Sequence, residues 1–261
     1  MYNLPEMRAV NTAFWQAMRA ELALRGLEGL PEAPEFDRAP VPDCIEPETL
    51  FSQVCGWPLQ TIYAGQARLL GMPVYTARHC AGPTHAGVFI VGAGSRFAAL
   101  EDLRGCAFAF NSVHSNSGMN LPRRALAGLG ARAPFFGSCI ETHSQPGNIE
   151  RVAKGEVDAT CVDCVTYAFY CRHRPELAAR TRVLAVTPPS PSIPFVTSVA
   201  TPEATVALLQ AALLAVARAP HWAEARAGLM LADIVTPDAA AYQVQLAYTT
   251  EAEALGYPVL A

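Results

Sequence analysis

An α/β fold in two lobes is what this sequence predicts, each lobe a mostly parallel sheet flanked by helices, the two joined by a two-strand hinge. Two observations point there. Apolar runs of strand length alternate with segments of helical periodicity, the pattern of parallel strands crossed over by helices. Runs such as VFIV (88–91) and CAFAF (106–110) are apolar without interruption, which suits a sheet covered on both faces. Residues 90–191 carry a complete strand–helix series of their own and read as lobe 2. Residues 1–89 plus 192–261 read as a discontinuous lobe 1. Such a layout leaves a ligand cleft between the lobes.

The elements follow in order. A first helix spans about 6–25, with Val10, Phe14, Met18 and Leu22 on one stripe. Residues 28–49 hold five prolines and many acids, and read as a surface loop. LFSQVCG is a strand that stops at Gly56-Trp57-Pro58. Pro58 then opens a helix near PLQTIYAGQ, because proline suits a first turn. RLLGMPVYT and AGVFIVGAG are strands, FAALEDLRG a short helix, and CAFAF a strand. NSVHSNSGMN leads into a helix ending near Gly128–Gly130. PFFGSCIET is a strand, SQPGNIERVAKG a helix closed by Gly155, DATCVDCV a strand and TYAFYCRHRPELAAR a helix. TRVLAVT and IPFVTSVAT are strands separated by the crossover Pro188–Pro194. The remainder reads as helical: TPEATVALLQAALLAVARA, HWAEARAGL and about 237–254.

The totals exclude several classes. Half of the 261 residues are hydrophobic and 16% are charged, so the chain can bury a core. A net charge of −4 without a basic run gives no case for nucleic acid. The longest apolar stretch, Ala204–Ala217, is interrupted by Gln210 and is too short for membrane insertion. MYNLPEMRAV lacks a basic segment followed by an apolar one. The chain as it reads is therefore expected in the cytoplasm; the alternative is a periplasmic protein whose leader was removed or whose start lies upstream. The eight cysteines then read as reduced thiols, several packed in strands. Lys154 is the only lysine and no phosphate-binding G-x-x-x-x-G-K-[ST] exists. Lys154 stands before Gly155, where a cation complements a helix end. No cofactor is expected.

Chemistry concentrates where strands hand over to helices. After CAFAF come Ser115, Asn116, Ser117 and Gly118. The first N–H groups of a helix lack partners and carry partial positive charge, and short hydroxyl and amide side chains add donors. These residues suit an oxyanion bound without a lysine cluster. One cap would need only one of them. A nucleophilic serine is disfavoured, for there is no G-x-S-x-G elbow. Arg123 and Arg124 are expected to face solvent. ETHSQPGNIERVAKG repeats the arrangement with His143 and Ser144, and CGWPL does so with Cys55 and Gly56. The three helix starts are expected to converge on one anion. Asp163, at the end of a strand, either accepts from a ligand amine or hydroxyl or caps the helix starting near Thr166. Cys161 and Cys164 form a C-x-x-C, and HCAGPTH adds His79 and His85. No second C-x-x-C or spaced histidine pair completes a metal site.

Taken together, LFSQVCGWPL, HCAGPTHAGVFIV, LEDLRGCAFAFNSVHSNSG and THSQPGNIERVAKGEVDATCVDCVTYAF resemble the phosphate/phosphite/phosphonate substrate-binding proteins of ABC transporters. These belong to the type II periplasmic-binding superfamily. The resemblance spans most of residues 1–200 in order. It implies two α/β lobes that close over a small oxyanion ligand such as a phosphonate or phosphate ester. It implies that Ser115, Asn116 and Ser117 hold the anion's oxygens. His143 would be the histidine after the next strand, and Asp163 would lie near a carboxylate that recognises an amine. Tyr2 would sit in the first-strand loop, and His85 stands near a position where members often have tyrosine. The expected partner is an ABC permease or, for a sensor, an output protein. The alternative is an enzyme on the same fold, as in thiamine-pyrimidine metabolism, with a Cys or His nucleophile; Cys55 is the residue to suspect.

Overall fold

The computed structural model describes residues 2–37 and 41–261. The regular elements begin with α1 (Arg8–Ala23), β1 (Ser52–Gln53), α2 (Gly56–Gln60), β2 (Ala67–Tyr75), β3 (Thr84–His85), β4 (Gly87–Gly92) and β5 (Ala107–Phe110). Next come α3 (Leu121–Gly128), β6 (Ser138–Glu141), α4 (Gln145–Lys154), β7 (Ala159–Asp163), α5 (Cys164–His173) and α6 (Pro175–Ala178). The series ends with β8 (Thr181–Val186), β9 (Ser190–Pro191), β10 (Phe195–Ser198), α7 (Glu203–Arg218), α8 (Ala223–Gly228), β11 (Leu231–Val235) and α9 (Gln243–Ala254). The chain divides into two compact units. One holds Met1–Thr76, Ala81–Pro83 and Pro191–Ala240; the other holds Ala77–Cys80, Thr84–Ser190 and Ala241–Ala261.

The first unit is built on a sheet ordered β1-β10-β2-β11. Helix α1 buries Phe14, Met18 and Leu22, as its stripe predicts, and α7 buries Leu209, Leu213 and Val216. Phe195 of β10 stacks between Phe14 and Phe51, with ring centroids 5.8 and 5.2 Å away. Gly71 in β2 is fixed by packing. A β-carbon there would come within 2.6 Å of Ile234 and 2.9 Å of Leu213, so glycine is what lets α7 and β11 close on the strand. The described part of the 28–49 loop is anchored by hydrogen bonds from Trp15 to the Pro31 carbonyl and from Tyr63 to the Pro42 carbonyl; residues 38–40 of that loop lie outside the described residues.

The second unit carries a sheet ordered β6-β5-β7-β4-β8. Strand β4 is the apolar centre, with Val88, Phe89, Ile90 and Val91 all fully buried. Phe108 of β5 stacks on Phe136 at 4.2 Å. The C-terminal segment closes this unit. Tyr257 is fully buried, and the Ala261 carbonyl accepts from the backbone of Phe135 and Phe136. Arg123, expected at the surface, is instead 5% exposed and donates to the Pro258 carbonyl and to Asn120. Its aliphatic stem can pack in the interior while the guanidinium is bonded to the Pro258 carbonyl and to Asn120.

Four expectations change in detail. The first sheet is antiparallel throughout and the second is mixed. β5 pairs parallel with β6 and β7, but β4 is antiparallel to both β7 and β8; β10 is antiparallel to both β1 and β2, and β11 to β2. The strands β5 to β8, linked by α3 to α6, keep one direction, as the alternation predicts; β4 runs against them, and in the first sheet β10 and β11 run against β1 and β2. The segment expected as one helix over 166–180 breaks into α5 and α6 at Arg174-Pro175, since proline excludes a helical residue before it. Helix α2 starts at Gly56, so Pro58 lies inside the first turn and does not open it. Finally, β11 is a strand inside the region read as helical. It is entered through Met230 at φ +53 and pairs with β2.

Candidate functional site

The carboxyl ends of β5, β6 and β7 carry the polar cluster of the second unit. After β5, Ser115 caps a single wide turn of π-helix, Asn116–Asn120, which runs directly into α3. The turn is wide because the Asn120 and Leu121 amides reach back five residues, to the carbonyls of Ser115 and Asn116. Such turns recur at functional positions. The Ser115 hydroxyl accepts from the Gly118 amide at 3.0 Å. Gly118 lets the turn pass close to Asn111: a β-carbon would fall 1.9 Å from its Oδ1, so that side chain would have to shift. Asn116 is fully buried and donates to Ser190 Oγ at 2.9 Å, so the turn is tied to the first residue of β9.

After β6 the chain continues beside β5, with the His143 amide donating to the Asn111 carbonyl, and turns at His143 with φ +59. Ser144 then caps α4 by accepting from the Gly147 amide at 3.0 Å. After β7, Asp163 caps α5. Its Oδ1 accepts from the amides of Val165 and Thr166 at 2.7 and 3.1 Å. Its Oδ2 meets Nδ1 of His85, and both side chains are buried. Burial depresses the His85 imidazolium, but the charge and hydrogen bond of Asp163 outweigh it and hold the pKa above the ordinary 6.5.

One side chain joins these turns. Gln145, the first residue of α4, donates through Nε2 to Ser117 Oγ and accepts through Oε1 from the Asp163 amide, both at 3.0 Å. Three helix starts therefore meet around Gln145. The consequence for Ser115, Ser117 and Ser144 is chemical. Each hydroxyl oxygen accepts a bond from within the protein, which leaves its own proton to donate. A group of such donors, beside helix N-termini, suits an oxyanion.

Among the ten residues singled out from sequence, Ser115, Asn116, Ser117, Gly118, His85 and Asp163 belong to this cluster. His143 borders it with its side chain 65% exposed, 3.9 Å from Glu141. Tyr2, Cys55 and Gly56 belong to the first unit. Tyr2 is buried edge-on against Tyr75 at 5.5 Å, and Cys55 precedes the five-residue α2. For Asp163 the capping alternative is the one observed, with its second oxygen on His85. Gln145 was missed, because a glutamine before a proline carries no signal of its own; Ser190, 74 residues from Asn116, was equally invisible. Among the described residues no cluster of three or more His, Cys, Asp or Glu can hold a metal ion. No single described helix is long and apolar enough to cross a membrane.

A family model described as ABC transporter, phosphonate, periplasmic substrate-binding protein matches residues 61–242. A comparison with curated proteins found no match. Among solved structures, this chain is similar to PA3383 of Pseudomonas aeruginosa, a binding protein component of an ABC phosphonate transporter. The TM-score is 0.76 at 16% identity, over 96% of this chain and 84% of that one. It is also similar to PhnD1 of Prochlorococcus marinus, solved with methylphosphonate, at TM-score 0.63 and 13% identity over 92% and 83% of the two chains. XAC2383 of Xanthomonas citri, solved with ATP, follows at TM-score 0.59 and 18% identity over 78% and 77%. At these identities the structures show the fold, which is the two-lobed type II periplasmic-binding-protein-like fold.

Proposed function

Because this chain belongs to the family of periplasmic phosphonate substrate-binding proteins of ABC transporters, and is thus a solute-binding protein and not an enzyme, we propose that it captures a small phosphonate or closely related oxyanion. We further propose that it does so in the periplasm and hands the ligand to an ABC permease. The family's periplasmic compartment favours that reading over the cytoplasmic expectation. The observation that carries the ligand proposal is the set of hydroxyls of Ser115, Ser117 and Ser144 at two neighbouring helix starts, each accepting from within the protein, with Gln145 linking Ser117 to the start of a third helix at Asp163. Methylphosphonate on PhnD1 and ATP on XAC2383 support a ligand with a tetrahedral phosphorus group. Beside this cluster the His85 imidazole meets the Asp163 carboxylate, which holds its pKa above the ordinary value. His143 and Tyr2 enter the proposal through the family resemblance, Cys55 and Gly56 through the helix start expected at CGWPL.

Calorimetric titration with methylphosphonate, phosphite, phosphate, a phosphate monoester and an alkyl sulfonate tests the proposal. At least one phosphorus oxyanion is expected to bind in the micromolar range or tighter. The double variant Ser115→Ala/Ser117→Ala removes two hydrogen bonds to a charged group, about 1.5–3 kcal/mol each, and should weaken binding at least ~100-fold. No binding of any of these at millimolar concentration, or a double variant that binds like the parent, overturns the ligand class.

A further inference from the structure

We propose that Cys80 and Cys164 are a redox pair that closes to an intramolecular disulfide. Their sulfurs lie 3.6 Å apart, in contact but unbonded, and both residues belong to the second unit. The C-x-x-C spacing pairs Cys164 with Cys161, but the fold does not. Cys161 is buried in β7 with its sulfur over Gly87, where an added β-carbon would meet it at 3.0 Å. Cys164 is the first residue of α5, pinned by its amide to the Ala86 carbonyl. Cys80 ends the four-residue segment Ala77–Cys80, a turn closed by the Cys80 amide on the Ala77 carbonyl, with His79 held at φ +70. That segment belongs to the second unit, although Thr76 before it and Ala81 after it belong to the first. A bond to Cys164 would fasten it to the start of α5, next to the His85–Asp163 pair.

The two thiols differ in access. Cys80 is partly exposed, whereas Cys164 is buried. The hydrogen bond with Cys80 and burial push the Cys164 thiol up. Cys80 is therefore the entry point and Cys164 the resolving group. The oxidant class is a disulfide, of a protein or of a small molecule, as the oxidising periplasm provides. The Cys80 thiolate attacks one sulfur of that disulfide, forms a mixed disulfide and releases one thiolate. Cys164 loses its proton to water and attacks the Cys80 sulfur. The Cys80–Cys164 bond forms and the second thiolate leaves. Two thiols of the protein lose two protons and two electrons, and the oxidant gains them as two thiols.

The test uses the whole chain, reduced, then treated with oxidised glutathione, alkylated and mapped by mass spectrometry. The expected product is protected from alkylation at Cys80 and Cys164, carries the peptide linking them, and before alkylation melts about 5 °C or more above the reduced form, since the bond closes a long loop. Cys80→Ser, at a partly exposed site, should abolish both the link and the thermal shift. A link between Cys161 and Cys164, or a stable glutathione adduct on Cys80 without closure, overturns the proposal. None of these readouts involves the oxyanion, so the pair and the ligand proposal stand or fall separately.

Discussion

A serine hydroxyl has one proton to give and two lone pairs to accept with, and in this protein Ser115, Ser117 and Ser144 accept from inside the fold. What sequence made legible was the density of short polar side chains at strand–helix junctions, because a cap requires those side chains at those positions. What it could not make legible was the use of Ser117, since that depends on Gln145 reaching across from another helix. His85 shows the same limit. Its raised pKa rests on Asp163, 78 residues away. The sign of the linkage follows from its raised folded pKa. The pair's stabilisation is fully present below the unfolded value near 6.5 and is lost as pH rises through the folded value. Urea unfolding of the parent and of His85→Gln across pH 5.5–9 should therefore give a difference in stability that is largest at the acid end and shrinks as pH rises. A difference that grows with pH would refute the charged pair.

Elements set the geometry that these residues use. The π-turn Asn116–Asn120 exists because Gly118 lets the chain pass against Asn111. Gly118→Ala places a methyl 1.9 Å from Asn111 Oδ1, so either that side chain or the turn must move. The expected cost is about 1–3 kcal/mol in urea unfolding, with oxyanion affinity lowered at the same time. Unchanged stability and affinity would mean that the turn is not held as described. Apolar periodicity found α1, α7 and the buried strands β4 and β5, since a buried stripe has to repeat with the period of its element. It missed β11. LADIV is too short to show a period, and it lies between the segments HWAEARAGL and about 237–254 that read as helical, so it reads as no element of its own. It failed also at Arg174-Pro175, where a run of helix formers hid a backbone that proline interrupts.

At the scale of the whole chain, the two compact units draw on segments far apart in sequence. The expected lobe 1 took in everything from 192 onward, whereas Ala241–Ala261 packs within the second unit. There α9 and the tail are held by Asn120 on the Gln245 carbonyl, Arg123 on the Pro258 carbonyl, and the Ala261 carbonyl under Phe135 and Phe136. Removing residues 257–261 deletes the buried Tyr257 and leaves Arg123 without its carbonyl. Such a truncation should lower stability by about 3–5 kcal/mol, read as an earlier urea midpoint for the parent-like tertiary signal. A midpoint that does not move would show that the tail only rests on this unit.

Composition and apolar period alone settled that the chain folds as alternating strands and helices, with oxyanion-suited side chains at the junctions. Those properties are local: burial repeats along one element, and capping acts within one turn. Tertiary structure alone decided the placement of β4 and β10 against the direction of their neighbours, the burial of Arg123 and the meeting of three helix starts at Gln145. It also decided the pairing of Cys80 with Cys164 in place of the adjacent Cys161. Each of these joins groups separated by many residues, and such contacts depend on how strands are ordered in a sheet, which a linear pattern of hydrophobicity does not encode.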